Sequence, residues 1–408
     1  MDRIPTIIVA VMAMAFAACT VGSPGTGTSA NRPESPALSG NTKVWRLKIG
    51  RVASVPLSNS EADRILAGAT RVLRDHDSNS DVGADVVLQR SGDVRVIDGP
   101  AVINSDADRA RIGASGVQIA VVEAVRYCSA MKPGILGCAP IGGNYMVLVR
   151  QNLLEDIIWA HEFGHNCGLN HRNDRSALMY TEAGSNRRSL NLAEARTYQT
   201  RRASSGSAAI ISGTEPPAPT SAEEFLDRIY IHGIPFSQVS RFGGADAEKF
   251  KAVLADPMRK RQWRNASVAL GAIGTPEAVE GVCAFVCAGT GQLDHESYQA
   301  KLAAVVSLGY GASRKVHAPA LDQLAKLTSV DRLKREVRWR APGRGAGEST
   351  VQMLADASFS ALALSGKPEA ADLLTAAARN NENIPALHER AKAALIHLDM
   401  RRKKGTQP

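Results

Sequence analysis

The sequence predicts an α+β domain over residues 43–203 followed by an all-α domain over residues 221–408. Three observations carry this. The chain has 408 residues, too many for one average domain. Its 44% hydrophobic content is enough for ordinary cores. The patterning also changes at the Ser-, Ala-, Gly- and Pro-rich stretch 204–220. Before it, short alternating apolar runs are mixed with helical periods; after it, the chain is Ala- and Leu-rich helix.

The first domain opens with a strand over 44–49. Ser58 and Glu61 have the spacing of a capping box, and Ile65, Leu66, Ala69, Val72 and Leu73 follow at helical intervals, so 58–75 is a helix. Strands are expected at 84–89 and 94–97 around Ser91-Gly92, at 116–125 as one apolar run, at 135–139 as a short edge, and at 145–149. Leu192, Ala195 and Tyr198 mark a closing helix over 191–202. Residues 75–81 resemble the start of a calcium loop. Ser80 replaces its turn glycine and Val86 its last carboxylate, so the other reading is a polar helix-to-strand loop.

The chemistry concentrates in residues 153–180. His161 and His165 are four apart, which stacks two imidazoles on one helical face within reach of one metal ion. Glu162 is offset by one residue, near the metal without ligating it, as a general base for metal-bound water must be. Gly168 can take the left-handed conformation that ends a helix and lets His171 return as a third nitrogen ligand. Three protein ligands describe a catalytic Zn²⁺ site with an open position. Met179 follows eight residues after His171, in Ser176-Ala177-Leu178-Met179-Tyr180. His-Glu-x-x-His-x-x-Gly-x-x-His with a downstream Met-turn resembles the metzincin peptidases, closest to the matrixin-like and reprolysin-like branches.

That resemblance implies an α/β/α catalytic domain with a twisted mixed sheet and an active-site helix. It implies one Zn²⁺ on His161, His165 and His171, with Glu162 as the catalytic base and Met179 as an apolar floor. Tyr180 would belong to the pocket wall, and the segment around 136–139 to the edge that pairs with an extended peptide. Matrixins also hold a propeptide cysteine on the metal, and no such motif stands between Cys19 and Trp45.

The first nineteen residues read as a targeting segment: Arg3, an apolar run over 7–18, and Phe16-Ala17-Ala18-Cys19, which resembles a bacterial lipobox. Cleavage before Cys19 would free it for lipid attachment and a membrane anchor, and the Gly-, Ser-, Pro- and Thr-rich run 20–42 reads as a flexible tether. The expected location is the periplasmic side of a membrane or the cell surface, with plain secretion as the alternative. Disulfides are permitted there. Cys128 and Cys138 flank a loop with Pro133, Gly134 and Gly137 that a bridge could close. Cys167, Cys283 and Cys287 read as packed small residues.

Net charge is +9, but it is dispersed except at 332–344 and 401–404, and aromatic residues are only 5%, too few for base-stacking platforms. Nucleic acid is not an expected partner. In the second domain, residues 266–277, 303–309 and 359–369 look alike, with a partial copy at 390–398, each reading helix, Gly/Pro turn, helix. They resemble HEAT-like repeats, which must stack to bury their faces; a compact all-α domain without repeat ancestry is the other reading. The function expected is a zinc-dependent endopeptidase acting on a peptide or protein, with the helical domain binding substrate or a protein partner. The alternative is an anchored interaction scaffold with a vestigial or latent zinc domain.

Overall fold

The structure is a computed structural model that describes residues 41–75, 82–200, 215–314, 318–342, 348–381 and 384–404. The targeting segment with Cys19, the tether before residue 41, the calcium-like loop beyond Asp75 and residues 204–214 of the Ser- and Pro-rich stretch lie outside the described residues. Strands β1 (Lys43–Leu47) and β2 (Ile49–Arg51) lead into helix α1 (Asn59–Arg74). The Ser58 hydroxyl accepts the Glu61 N–H while the Glu61 carboxylate accepts the Ser58 N–H, so the capping box closes. Its apolar stripe, Ile65, Leu66, Ala69, Val72 and Leu73, is buried.

Strands β3 (Val86–Arg90), β4 (Arg95–Val96) and β5 (Val102–Ile103), helix α2 (Asp106–Ala114), and strands β6 (Ile119–Val122), β7 (Ala124–Cys128), β8 (Ala130–Ile135), β9 (Gly137–Cys138) and β10 (Met146–Val149) precede helix α3 (Glu155–Cys167). One sheet has the order β4-β2-β6-β10-β9. Its pairs are parallel except the last, where β9 runs antiparallel to β10 and forms the edge. β1 pairs with β3, and a third sheet runs β5-β7-β8. The single strand expected over 116–125 is thus two strands in two sheets. The break falls at Glu123, whose N–H leaves the ladder for the Ala101 carbonyl at 2.9 Å.

Beyond α3 come β11 (Glu182–Ala183) and α4 (Leu192–Thr200), then α5 (Ala222–Asp227), β12 (Ile229–Tyr230), α6 (Phe236–Val239), α7 (Gly244–Ala255), α8 (Lys260–Ile273), α9 (Pro276–Cys287), β13 (Thr290–Gln292), α10 (His295–Ser313), α11 (Ala318–Leu327), α12 (Val330–Glu336), β14 (Arg338–Arg340), α13 (Glu348–Ser365), α14 (Glu369–Asn380) and α15 (Pro385–Lys404). The molecule is mixed α+β, with several small sheets and many helices. Helix α10 packs between α8 and α13, and small residues let them approach: a Cβ on Gly309 would strike the Ala361 carbonyl, and one on Gly311 the Gly271 carbonyl. The Gly274-Thr275-Pro276 turn releases α8 at a left-handed glycine and starts α9 with a Thr275 cap.

Thr42–Pro408 form one compact unit around two apolar cores. The cores interpenetrate, since Ile231 joins that of the sheets while Val102 and Ala124 join that of the helices. A buried ion pair also joins the halves. Arg126 on β7 donates to Asp356 on α13 at 2.7 Å, to Ser360 at 3.3 Å and to the Met353 carbonyl at 3.3 Å. Breaking such a pair strands a buried charge. We expect Asp356→Ala to cost about 3–5 kcal/mol in urea unfolding, and the double change Arg126→Met with Asp356→Leu to recover most of it.

A second stability test concerns α1. The Ser58 N–H foremost, then against burial the Ser58 hydroxyl and Arg150, hold the Glu61 carboxyl down to about 2, below its ordinary 4.5. A depressed carboxyl stabilises the fold above its unfolded pKa and loses that contribution as pH falls through the folded value. Glu61→Gln should therefore cost about 1 kcal/mol at pH 7, with the difference from wild type shrinking between pH 4.5 and 2 in denaturant midpoints.

Candidate metal centre

Helix α3 carries the motif into the middle of the molecule, and His161, Glu162 and His165 are each fully buried. Its interior glycine is required by what presses on it. A Cβ on Gly164 would lie 2.5 Å from the Met179 Sδ and closer still to the Tyr198 hydroxyl. That hydroxyl donates to the Ala160 carbonyl at 3.0 Å and contacts the Met179 sulphur at 3.4 Å, so α4 clamps Met179 against the helix between its two histidines. Gly168 ends the helix at φ 105°, a conformation costly for a residue with a Cβ. The chain then reverses: the Leu169 N–H bonds the Gly164 carbonyl at 3.0 Å and the Arg172 N–H bonds the Met179 carbonyl at 2.9 Å. This loop brings His171 back, 4.8 Å from His165 and 5.3 Å from His161 between ring centroids.

A fourth imidazole completes the group. His232 lies between β12 and α6, outside the domain to which the motif was assigned, and its ring is 4.8–5.4 Å from the other three. One ligand atom from each of His161, His165, His171 and His232 lies within 4.8 Å of all the others. The tautomers follow from the hydrogen bonds. His161 Nδ1 contacts the Leu178 carbonyl at 2.8 Å, His165 Nδ1 the Leu169 carbonyl at 2.8 Å, and His232 Nδ1 the Gly137 carbonyl at 3.2 Å. A carbonyl only accepts, so each Nδ1 bears the proton and each Nε2 presents a lone pair.

Those lone pairs face one another. The Nε2 atoms of His161 and His165 are 3.0 Å apart, and those of His161 and His232 are 3.2 Å apart. Two acceptors at that separation repel unless a cation lies between them. A tetrahedral site with metal–nitrogen bonds of about 2.0–2.1 Å has ligand–ligand edges of about 3.3 Å, close to these two separations, and the four ligand atoms together could hold a metal ion. Among the described residues, neither buried ring nitrogen of His171 has a hydrogen-bond partner, so either could ligate a cation. Burial lowers all four pKa values, His161 to about 4 and His171 to about 3, with the neighbouring imidazoles lowering those of His165, His171 and His232 further. They stay neutral at physiological pH, the form that binds metal.

Glu162 lies beside the cluster. Neither carboxylate oxygen has a hydrogen-bond partner, and Oε1 is 3.6 Å from His232 Nδ1. Burial pushes its pKa well above the carboxylate range, and the Ala139 backbone N–H, short of a full hydrogen bond, pulls the other way. A nearby cation would also favour the charged form. Gly137 on the edge strand makes room for it, since a Cβ there would sit 2.5 Å from Oε1.

A cleft of about 50 Å³ opens next to His171 and His232, lined also by Lys132, Thr181, Glu215 and Gly233. Tyr180 is buried with the Arg187 guanidinium 4.9 Å above its ring, and its neighbour Thr181 lines the cleft. A disulfide joins Cys128 and Cys138, bracketing β8 and β9. Cys167 is a buried thiol, and Cys283 and Cys287 are half-buried thiols on α9. Asp75, the described end of the calcium-like stretch, faces Arg188 at 3.8 Å.

His232 escaped sequence reasoning because it lies some sixty residues beyond His171, past the Ser- and Pro-rich stretch. Its local signal was a short non-helical apolar run, Tyr230-Ile231-His232-Gly233-Ile234-Pro235, between two helices. No protein-family model matches the chain, and no curated protein matches it.

The cluster predicts that the chain binds one divalent transition-metal ion and that binding stabilises the fold. At a hundred-fold excess over Kd, unfolding should cost about 2.7 kcal/mol more than in chelator. His165→Ala should abolish that difference, as read by metal titration and denaturant unfolding.

Proposed function

We propose that the chain is a zinc-dependent endopeptidase of the metzincin kind. The observation that carries this reading is the convergence of ring nitrogens from His161, His165 and His171 beside the fully buried Glu162. Neutral imidazoles on a tetrahedral frame suit Zn²⁺, which when bound would polarise a scissile carbonyl and acidify water. Glu162 would take a proton from the attacking water and return it toward the leaving amine. The Leu178 and Leu169 carbonyls hold the rings of His161 and His165 in the ligating tautomer. Met179 packs beneath and exchanges no proton. An extended peptide recognises the main-chain groups along a strand edge such as that of β9. In this reading the targeting segment and Cys19 place the enzyme on a membrane outside the cytoplasm, and the stacked helices recruit substrate or a protein partner.

A second reading is a closed structural zinc site in an interaction scaffold, and the fourth imidazole favours it, because structural sites have four protein ligands and catalytic ones keep a position open. Glu162 argues against it. A structural site has no use for a fully buried carboxylate, which costs stability to keep.

The test is hydrolysis of a diverse quenched peptide library by the full chain and by its His232→Ala variant, each with and without Glu162→Ala. We expect Glu162→Ala to lower turnover at least 10³-fold at unchanged zinc content. No Glu162-dependent cleavage in either background would reject the peptidase.

A further inference from the structure

Residues 229–234 run through the place where a peptide substrate would lie. On one side the segment pairs with the edge: the Leu136 N–H donates to the Ile231 carbonyl at 2.8 Å, the Ile234 N–H to the Pro133 carbonyl at 2.9 Å, and Ile135 bridges His232 antiparallel. On the other it pairs with the chain just past Met179: β12 is antiparallel to β11, and the Ile231 N–H donates to the Thr181 carbonyl at 3.3 Å. Between these two sets of bonds His232 turns inward, and its Nε2 joins the other three imidazoles.

The seat is shaped for this segment. Gly233 has φ +80°, and a Cβ there would meet Ile135 and Lys132 at 2.8 Å and the Pro133 carbonyl at 3.0 Å, so a glycine allows the strand to lie flush on the edge. Both ends of the segment are held by the helical half. Before it, the Asn265 side-chain amide on α8 donates to the Arg228 carbonyl at 2.7 Å. After it, the Tyr310 hydroxyl donates to the Ile234 carbonyl at 2.9 Å.

From this geometry we infer that residues 229–234 are a built-in occupant of the peptide cleft and that His232 closes the fourth metal position, so the chain as folded is latent. The inference rests on the peptidase reading and adds its regulation. One segment does two jobs. Its main chain uses the edge hydrogen bonds that a substrate needs, and its imidazole takes the coordination position that water needs. Because the segment is tethered at both ends, a free peptide competes against a ligand at high effective concentration. The helical half, which holds both ends, sets whether the cleft opens.

The experiment uses the full chain loaded with Co²⁺, with acetohydroxamate as a probe of an open metal position. The wild type is expected to show four-nitrogen coordination by X-ray absorption and a visible spectrum that acetohydroxamate leaves unchanged. His232→Ala is expected to keep its metal, to show three nitrogens and an oxygen, and to bind acetohydroxamate at least a hundred-fold tighter. Gly233→Val, which leaves every imidazole in place, is expected to admit the probe as well by lifting the strand.

Acetohydroxamate binding to the wild type as tightly as to His232→Ala would overturn the inference while leaving the peptidase reading intact. Loss of metal from His232→Ala alone would also overturn it, identifying His232 as one of four ligands in a closed structural site. If both variants open to the probe yet show no peptide cleavage that Glu162→Ala removes, the occlusion stands and the peptidase reading falls. Wild-type coordination is read without any variant, and three nitrogens with an oxygen there would overturn the inference even if a variant fails to fold.

Discussion

The structure depends on a repulsion that only a cation resolves. His161 and His165, both fully buried, hold their Nε2 lone pairs 3.0 Å apart. Neither ring can turn away or swap its proton, because each Nδ1–H is committed to a main-chain carbonyl. Those carbonyls belong to the two stretches that follow α3, the reversal after Gly168 and the turn carrying Met179. Aligning the two imidazoles and folding the loops beneath them are therefore one event. A cation held between them would convert that electrostatic penalty into binding energy.

Close approach is the second requirement. Met179 and Tyr198 press on α3 where it has no side chain, at Gly164, and Glu162 fits under the edge strand where that strand has none, at Gly137. Gly164 is interior to a helix and Gly137 opens a strand, and glycine is intrinsically disfavoured in both kinds of element. Each gives up intrinsic propensity so that a chemical group can be placed within van der Waals distance of a backbone. The same economy recurs among the helices, where Gly271, Gly309 and Gly311 let α8, α10 and α13 lie against one another.

Much of this was legible in the chain. The capping box at Ser58 and Glu61, the apolar face of α1 and the glycine that ends α3 are local patterns, set by residues within a turn of each other, and the structure contains each of them. The clustering of His161, His165 and His171 is local too, since a helical repeat and one reversal suffice to bring the three together. The missing parts are long-range. His232 reaches the cluster through strand pairing with residues almost a hundred positions earlier, and nothing in its own surroundings encodes that register. The break at Glu123 depends on a bond to Ala101 that an apolar run cannot disclose. Arg126 and Asp356, 230 residues apart, look like ordinary surface charges until the fold buries them together.

The disulfide between Cys128 and Cys138 has a consequence for the order in which the molecule matures. It brackets β8 and β9, the same short stretch that seats residues 231–234 and leaves room for Glu162. Reduced, that stretch regains the freedom of a loop, at a cost to the fold of about 2–3 kcal/mol by chain-entropy reasoning. Thiol–disulfide chemistry thus reaches the histidine cluster: until Cys128 and Cys138 are oxidised, the histidines lack a firm wall opposite them.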